Sequence, residues 1–553
     1  MAFIVKKIIS GKGYYYLNEN KRADGKVKKK ASIYLGKTKK EAEKKAKEFL
    51  AKLKKDSGKN SDAEEELEKK KISIEELAVF CKRKGFVYQS GEIYGGFAGF
   101  WDFGHLGVEL KNNIKNEWWK FHVTQRGDIV GIDGSIITHP MIWKASGHLD
   151  NFSDVFVICK KCKKPNKIDK RELGKAKCDC GGEYDEKSAK DFQLMFKTKV
   201  GETEEAYLRP ETAQLIFSNF KSVYENSRRK LPFGIAQIGK AFRNEIAPRD
   251  FLFRSREFEQ MEIEYFVKSG SICLYKIPNE EILVYSAEAQ ENNQEPVKMK
   301  LKEAFEKEII KKDWHAYWLG ISFSWFKKLG ANPENFRIRQ HRKDELAHYS
   351  SDCWDLEYKF PFGWRELEGI ADRGNFDLVQ HEKFSKKDLK IFDEETKEKM
   401  FPEVVCEPSL GVERSFLVFI LDGYYYSKKR ENVVLKLNPK LSPIKAAVFP
   451  IVKQKEFENL AKMVVEDLQQ EFFVVYDESG SIGRRYSRND ESGTPYCITI
   501  DEKSLKNKDV TVRWRDTAEQ VRIKIKDLRE ALRKAIGGED ILKFGKAVNT
   551  RKK

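Results

Sequence analysis

Residues 240–264, KAFRNEIAPRDFLFRSREFEQMEIE, constrain this chain more than any other stretch. Densely charged runs flank a short loop, and neither alternating face of either run is apolar enough for a core, which argues for a site. With a period of two, Arg254, Arg256, Phe258, Gln260, Glu262 and Glu264 share one face of a strand, and Arg243 and Glu245 share a face upstream. Residues 246–253 then form the loop of an antiparallel hairpin. Such a hairpin offers guanidiniums to phosphate oxygens, a ring on which a base can stack, and carboxylates for a metal ion or an ammonium group. Nucleotide binding is the functional expectation, and a solvated hairpin of dense charge is its bland alternative.

Phe242, Arg243, Glu245, the loop, Arg254, Phe258 and Glu262 satisfy every position of a pattern that resembles motif 2 of the class II aminoacyl-tRNA synthetases. LRPETAQ at 208–214 and EPSLG at 407–411 are similar to the dimeric glycyl-tRNA synthetases in particular, and the resemblance runs from about residue 72 to 535. It implies an α+β fold: a class II antiparallel-sheet catalytic domain with a zinc-ribbon-like insertion, a C-terminal α/β anticodon-binding domain, and a small basic N-terminal module. It also implies ATP-dependent attachment of glycine to the 3′ end of tRNA(Gly) through glycyl-adenylate, by a homodimer.

That resemblance assigns residues as well. Arg243, Glu245 and Arg414 are the expected catalytic group. The expected ATP site comprises Arg243, Asn244, Glu245, Phe253, Arg254, Phe258, Glu366, Leu367, Gly411 and Arg414. Arg243 is expected at the α-phosphate and the attacking carboxylate, Phe258 against adenine, Arg254 at the bent triphosphate, and Arg414 of the motif 3 run GVER at the γ-phosphate. Mg²⁺ on the phosphates is held by carboxylates with waters retained, and Glu366 and Glu407 are the expected neighbours. Glu211, Phe258, Gln260, Glu262, Glu407 and Ser409 are expected around glycine. Glycine has no side chain to grip, so selection must come from carboxylates around the ammonium and from lack of room beside the α-carbon. His348, Tyr349 and Asp352 are expected to line or support that pocket, with a core role equally open for Tyr349 and Cys353. His105 departs from the family, whose members carry proline there in a Tyr-Gly-Pro-Leu-Gly run.

Four of nine cysteines cluster as Cys159-x2-Cys162 and Cys178-x-Cys180-Gly-Gly, which has the ligand count and separation for tetrahedral Zn²⁺. The single residue between Cys178 and Cys180 is shorter than usual for chelation. The other five thiols are scattered, a pattern of reduced cysteines and one metal site.

At 553 residues the chain suits two to four domains. The organisation expected is a hairpin-and-helix module at 1–55, with a turn at Asp24-Gly25 and a helix opened by Thr38 and Glu41; a linker at 56–71, drifting into a charged helical run; a catalytic domain at 72–437; an anticodon-binding domain at 438–540; and a basic tail at 541–553. Insertions are expected at 155–190, around the cysteines, and at 270–335. A motif 1 helix is expected near 107–122, burying Leu110, Ile114, Trp118 and Trp119. Arg484, Arg485 and Arg488 near a Gly-rich turn are expected to meet RNA.

The net charge of +18 is concentrated, with 19 Lys or Arg against 6 Asp or Glu in residues 1–60. Such asymmetry suits a polyanion such as tRNA, although a solvated lysine-rich face is the plain alternative. The longest apolar run is FLVFIL at 416–421. Neither a membrane span nor a secretory signal is therefore supported, and a cytoplasmic protein is expected. Two rival readings remain open here: a sister class II synthetase of other specificity, which RPETAQ with EPSLG opposes, and a non-catalytic nucleic-acid-binding paralogue, which the retained arginines oppose.

Overall fold

A computed structural model describes residues 2–9, 12–23, 26–36 and 67–548, apart from 169–172, 175 and 348. Residues 1–66 and 67–553 are separate compact units. In the first, strands Ala2–Ile9, Lys12–Ala23 and Lys26–Gly36 pair antiparallel in that order. The opening AFIVKKII is thus a third strand beyond the expected hairpin. The Asp24-Gly25 turn, the helix opened by Thr38 and Glu41, and His348 lie outside the described residues.

The second unit is built on a nine-stranded sheet. Its strands are β1 (Ile129–Gly131), β2 (Phe233–Phe242), β3 (Glu257–Val267), β4 (Glu281–Tyr285), β5 (Val297–Lys300), β6 (Phe336–Gln340), β7 (Asp352–Phe360), β8 (Gly363–Asp372) and β9 (Glu403–Gly411). They lie in the order β5-β4-β6-β7-β8-β9-β3-β2-β1. Only the β1–β2 and β4–β6 joins are parallel.

One face of this sheet is core. Met261, Ile263 and Tyr265 on β3, with Ile338, Leu356, Ile370 and Leu410, pack on the helices Asp313–Lys328 and Val412–Gly423. The expectation that neither face of the 254–264 run could pack is therefore wrong for its second half, where the odd-numbered positions supply an apolar face. The even-numbered residues Gln260, Glu262 and Glu264 are buried too, on the site face. Beside them the helix Ala213–Ser227 packs Ile216, Phe217 and Phe220 on Phe233, Ile235 and Phe266.

Three expected boundaries change. The segment 270–335 contributes β4 and β5 to the edge of the same sheet, because Leu283, Val284 and Tyr285 pair with Arg337, Ile338 and Arg339. Within the expected linker, Leu67–Lys69 is a strand paired with Tyr424–Ser427, and Lys69 donates to the Leu421 carbonyl at 2.7 Å. The same pairing makes Tyr424–Ser427 a strand, so the helix after Arg414 stops at Gly423. In the expected tail, Ile541 is buried and Lys546–Ala547 pairs with Val521 and Arg522.

The C-terminal part is an α/β layer. Strands Ala446–Pro450, Val474–Tyr476 and Tyr496–Ile500 run parallel, and Asp509–Trp514, Gln520–Lys524 and Lys546–Ala547 continue the sheet antiparallel. Helices Lys455–Leu468 and Ile525–Gly537 bury Phe457, Ala461, Val464, Leu528 and Leu532 in a core of their own.

Candidate active site

The strand β2 ends at Phe242 and β3 begins at Glu257, and the two pair with Ala241 opposite Phe258, Gly239 opposite Gln260 and Gln237 opposite Glu262. This register lines the residues of the hairpin along one open cavity of about 470 Å³. Arg243, Glu245, Phe253, Arg254 and Phe258 line it from the hairpin, Glu366 and Leu367 from β8, and Ser409, Gly411 and Arg414 from β9 and the helix after it. Of the expected ATP residues, Asn244 stands apart: its backbone N–H donates to the Leu194 carbonyl at 2.7 Å, and it does not line the cavity.

Three of the arginines that line this cavity are held in place. Arg243 donates through Nε to the Pro210 carbonyl at 3.0 Å, and its guanidinium lies 5.3 Å from the Phe258 ring. Arg254 is clamped by Glu245, with Nε and Nη2 at 2.9 and 2.8 Å from one carboxylate oxygen. Arg414 lies over the Phe253 ring at 4.5 Å and donates to the Glu366 carbonyl at 2.9 Å. Its charge, 3.3 Å from the Glu366 carboxylate, holds that carboxyl below its ordinary pKa against the opposing cost of burial. Three fixed guanidiniums on an open cavity with aromatic walls suit a polyphosphate bearing a planar base.

Beside Gln260 and Ser409 lies a largely buried cluster of carboxyl groups. Ser409 donates to Glu262 at 2.7 Å, Gln260 donates to Ser409 at 3.1 Å, and Thr212 donates to the second oxygen of Glu262. Glu211 lies 3.2 Å from His148 Nε2 and accepts from Gln214 at 3.2 Å. Burial pushes its pKa up, but His148, Arg373 and Arg243 outweigh that and hold the carboxyl well below the usual range. Glu407 is gripped by Arg373, whose Nη1 lies 3.0 and 3.1 Å from the two oxygens. Burial and the neighbouring carboxylates Glu262 and Glu211 push the Glu407 pKa up, and that guanidinium opposes them. Arg373 also binds Asp377 at 2.7 and 2.8 Å and lies 3.8 Å beneath the Tyr349 ring.

One of the two expected magnesium neighbours loses that role. Glu407 is committed to Arg373, so it belongs to this carboxyl cluster and does not fit a magnesium site at the phosphates. Glu366, with half of its side chain exposed to the cavity, does fit one. Asp352 accepts from Gln340 at 3.1 Å and lies 3.3 Å from His315, a supporting role. Arg373, Asp377, His148 and Thr212 were not read as site residues. Arg373 and Asp377 stand four apart in ADRGNFD, a spacing that suits an ion pair.

Residues 196–424 match the tRNA synthetase class II core domain (G, H, P, S and T), and residues 445–535 match the anticodon binding domain. A glycine–tRNA ligase from Treponema denticola is 42% identical over 472 residues, covering 83% of this chain and 96% of that protein. The chain belongs to the glycine–tRNA ligase family. A second glycine–tRNA ligase, from Geobacillus thermodenitrificans, is 44% identical over 84% of this chain and 98% of its own length. The fold extends further: a prolyl-tRNA synthetase from Cryptosporidium parvum, at 14% identity, superposes with a TM-score of 0.51 over 83% of this chain and 76% of that one.

In this member of the glycine–tRNA ligase family, His105 is the first residue of the helix His105–Trp119, behind the N-cap Gly104. That is the helical position where proline is best tolerated, so histidine there keeps the turn. Its ring presses on Gly85, where a Cβ would stand 2.3 Å from His105 and where φ is +80°. The helix buries Leu110, Ile114 and Trp118 as expected, and also Lys111, while Trp119 is half-buried.

The four clustered sulfurs come together on the sheet of strands Ser153–Cys159, Pro165–Ile168 and Tyr184–Gln193. All four lie within 4.8 Å of one another, with Cys159 and Cys180 at 3.5 Å and Cys162 and Cys178 at 3.6 Å. A zinc ion with bonds of about 2.3 Å requires tetrahedral sulfurs separated by close to these distances. Gly182 makes the short second pair possible, since a Cβ there would fall 2.9 Å from the Cys159 sulfur.

Of the C-terminal arginines, Arg485 is removed from RNA contact. It is buried, and it donates to the carbonyls of Pro450 at 2.6 Å, Glu478 at 2.8 Å and Gly480 at 2.9 Å. Arg484 and Arg488 lie on the same helix, Ile482–Ser492, with Arg488 paired to Asp477.

Proposed function

We propose that the protein joins glycine to ATP, forming glycyl-adenylate and pyrophosphate, and passes the glycyl group to the 3′-terminal adenosine of tRNA(Gly). The observation that carries this reading is that Gln260 and Ser409 join two unlike groups of side chains: the guanidiniums and rings of the open cavity, and a buried cluster of carboxyls. The first suits a triphosphate, and the second suits an ammonium with no side chain beyond it.

In this reading the glycine carboxylate lies at Arg243, whose Nε is already spent on Pro210, and its oxygen attacks the α-phosphorus while pyrophosphate leaves. Arg243 neutralises charge at the reacting phosphorus, Arg254 braces the bent triphosphate and Arg414 holds its far end. Phe258 stacks on adenine. Glu211, Glu262 and Glu407 surround the ammonium, with Ser409 and Gln260 orienting Glu262. No covalent nucleophile is required. Glu366 would hold Mg²⁺, which would supply charge neutralisation on the phosphates.

The same proposal includes a structural zinc on Cys159, Cys162, Cys178 and Cys180, a homodimer formed through the motif 1 region, a cytoplasmic location, and tRNA held by residues 438–540 and by the basic residues 1–60. Among the described residues no helix is long and apolar enough to cross a membrane.

Pyrophosphate exchange into ATP, measured with each of the twenty amino acids beside a Glu211→Gln variant, tests the central claim. Exchange with glycine alone, collapsing in the variant, is the expected result. Exchange with a different amino acid would assign a sister specificity, and none with any would leave a binding protein.

A further inference from the structure

Glu264 is the carboxyl of the buried cluster that this mechanism leaves without a task. It follows Glu262 on the site face of β3, is 0% exposed, and neither of its carboxyl oxygens has a hydrogen-bond partner in the structure. One oxygen each from Glu262, Glu264 and Glu407 lie within 4.8 Å of one another.

The groups facing it come from every neighbouring element. Glu262 shares its strand, Glu407 comes from β9, and Arg373 and Asp377 come from the turn and helix after β8. β2 places the uncharged Ile235 opposite Glu264, with Gln237 opposite Glu262. Glu211 acts on Glu262 and Glu407 from the Arg209–Thr212 stretch, and Tyr349 covers Arg373. Arg373 is the cation hydrogen-bonded within this group, and Asp377 and Glu407 already occupy it. Carboxylates this close in a dry interior do not all ionise, and the proton goes to the one that no donor stabilises. Glu262 has Thr212 and Ser409, Glu407 has Arg373, and Glu264 has none. Burial and the Glu407 charge accordingly raise the Glu264 carboxyl well above its ordinary pKa.

We propose that Glu264 carries a proton in the free protein and releases it when the ammonium group of glycine enters the pocket. The inference rests on the glycine-activating reading given above. The ammonium brings one positive charge beside Glu262 and Glu407 and replaces the proton as their counter-charge. The O–H bond of Glu264 breaks, its electrons stay on the carboxylate, and the proton passes to solvent, so the charge of the pocket is unchanged. A group protonated when free and ionised when bound makes binding tighter as pH rises. A small acid that lacks an ammonium cannot displace the proton, which adds a charge criterion to the size criterion for glycine.

The test is calorimetric titration of the full chain with glycine between pH 6 and 8 in buffers of different ionisation enthalpy, on the unaltered protein and Glu264→Gln, with pyrophosphate exchange in parallel. The unaltered protein is expected to release a substantial fraction of one proton per glycine, and its glycine KM to fall by up to about tenfold per pH unit, the limit for one proton. Glu264→Gln copies the protonated acid, so it is expected to exchange pyrophosphate while releasing no proton and losing the pH dependence. Equal release from both proteins, or none from the unaltered protein while exchange persists, would overturn the proposal. Absence of glycine-dependent exchange in the unaltered protein would instead sink the underlying reading, and the proposal with it. Should Glu264→Gln not fold, infrared difference spectra of the unaltered protein decide the matter: loss of a protonated carboxyl band on adding glycine supports the release, and its persistence refutes it.

Discussion

A single guanidinium nitrogen of Arg373 serves both oxygens of Glu407, at 3.0 and 3.1 Å, while the opposite edge of the same group serves Asp377. All three side chains are buried, so water does not replace a lost partner. The pair fixes the orientation of a carboxyl that the proposed mechanism aims at the ammonium of glycine.

Arg373→Lys keeps a charge but loses the fork that spans two carboxylates. The expected outcome is a glycine KM at least about tenfold higher with the ATP KM little changed, since a charge-assisted pair of this kind is worth roughly 1.5–3 kcal/mol. Arg373→Met strands buried carboxylates and is expected to cost about 3–5 kcal/mol of folding stability, read by denaturant unfolding. A glycine KM unmoved by either change would separate Arg373 from substrate binding.

Arg254 is positioned by Glu245 through contacts of 2.9 and 2.8 Å. Arg254→Ala is expected to lower kcat/KM for ATP by about 10- to 100-fold, the loss of one charge-assisted contact. Glu245→Gln, which leaves the cation but loosens its clamp, is expected to show a smaller loss of the same kind. Exchange kinetics at varied ATP give both numbers.

The sulfur cluster predicts about one zinc per chain by elemental mass spectrometry of protein purified under reducing conditions. Cys159→Ser is expected to lose most of that metal and to lower Tm, because a structural zinc couples directly to local folding. Zinc-free protein of unchanged Tm would leave the four thiols without this role.

Glu368 is buried, its pKa is pushed up to about 8 by that burial, and it accepts from Ser322 at 3.0 Å. A carboxyl that holds its proton more tightly when folded costs stability as pH rises from its unfolded value, about 4.5, to its folded one, and the cost is constant above that. Glu368→Gln is therefore expected to gain on the unaltered protein by up to about 1.4 kcal/mol per pH unit across this window. Urea unfolding at pH 5.5 and at pH 8 checks the sign.

Removing residues 1–60 takes away 19 basic and 6 acidic side chains. If these residues meet tRNA phosphates, the plot of log affinity against log salt becomes shallower in the shortened protein. Filter-binding at several salt concentrations measures this, and an unchanged slope denies the segment an RNA role.

Much of the open cavity was legible because β2 and β3 are one local hairpin, and a period of two puts its charged residues on one face. The carboxyl cluster was only half legible. Glu211, Glu407 and Ser409 carried a family resemblance, but the role of Arg373 depends on the register that sets Ala371 opposite Glu407, two strands far apart in the chain. Distance in sequence hid the other misreadings as well. Leu67–Lys69 has too few residues to read as a strand until Tyr424–Ser427 pairs with it, and β4 declares itself only beside β6. Arg485 looked like an RNA ligand because a sequence gives no sign of which guanidinium turns inward to cap carbonyls.

The position of β9 between β3 and β8 has a consequence for how the chain is made. A ribosome releases the motif 2 hairpin long before it releases residues 403–411, and until that strand arrives the two halves of the sheet have no seam. Arg414 and Glu407 come with the same stretch. A nascent chain therefore gains Arg414 and Glu407 in one closing event, and shorter products lack both the cation proposed for the far end of the triphosphate and a carboxyl proposed for the ammonium.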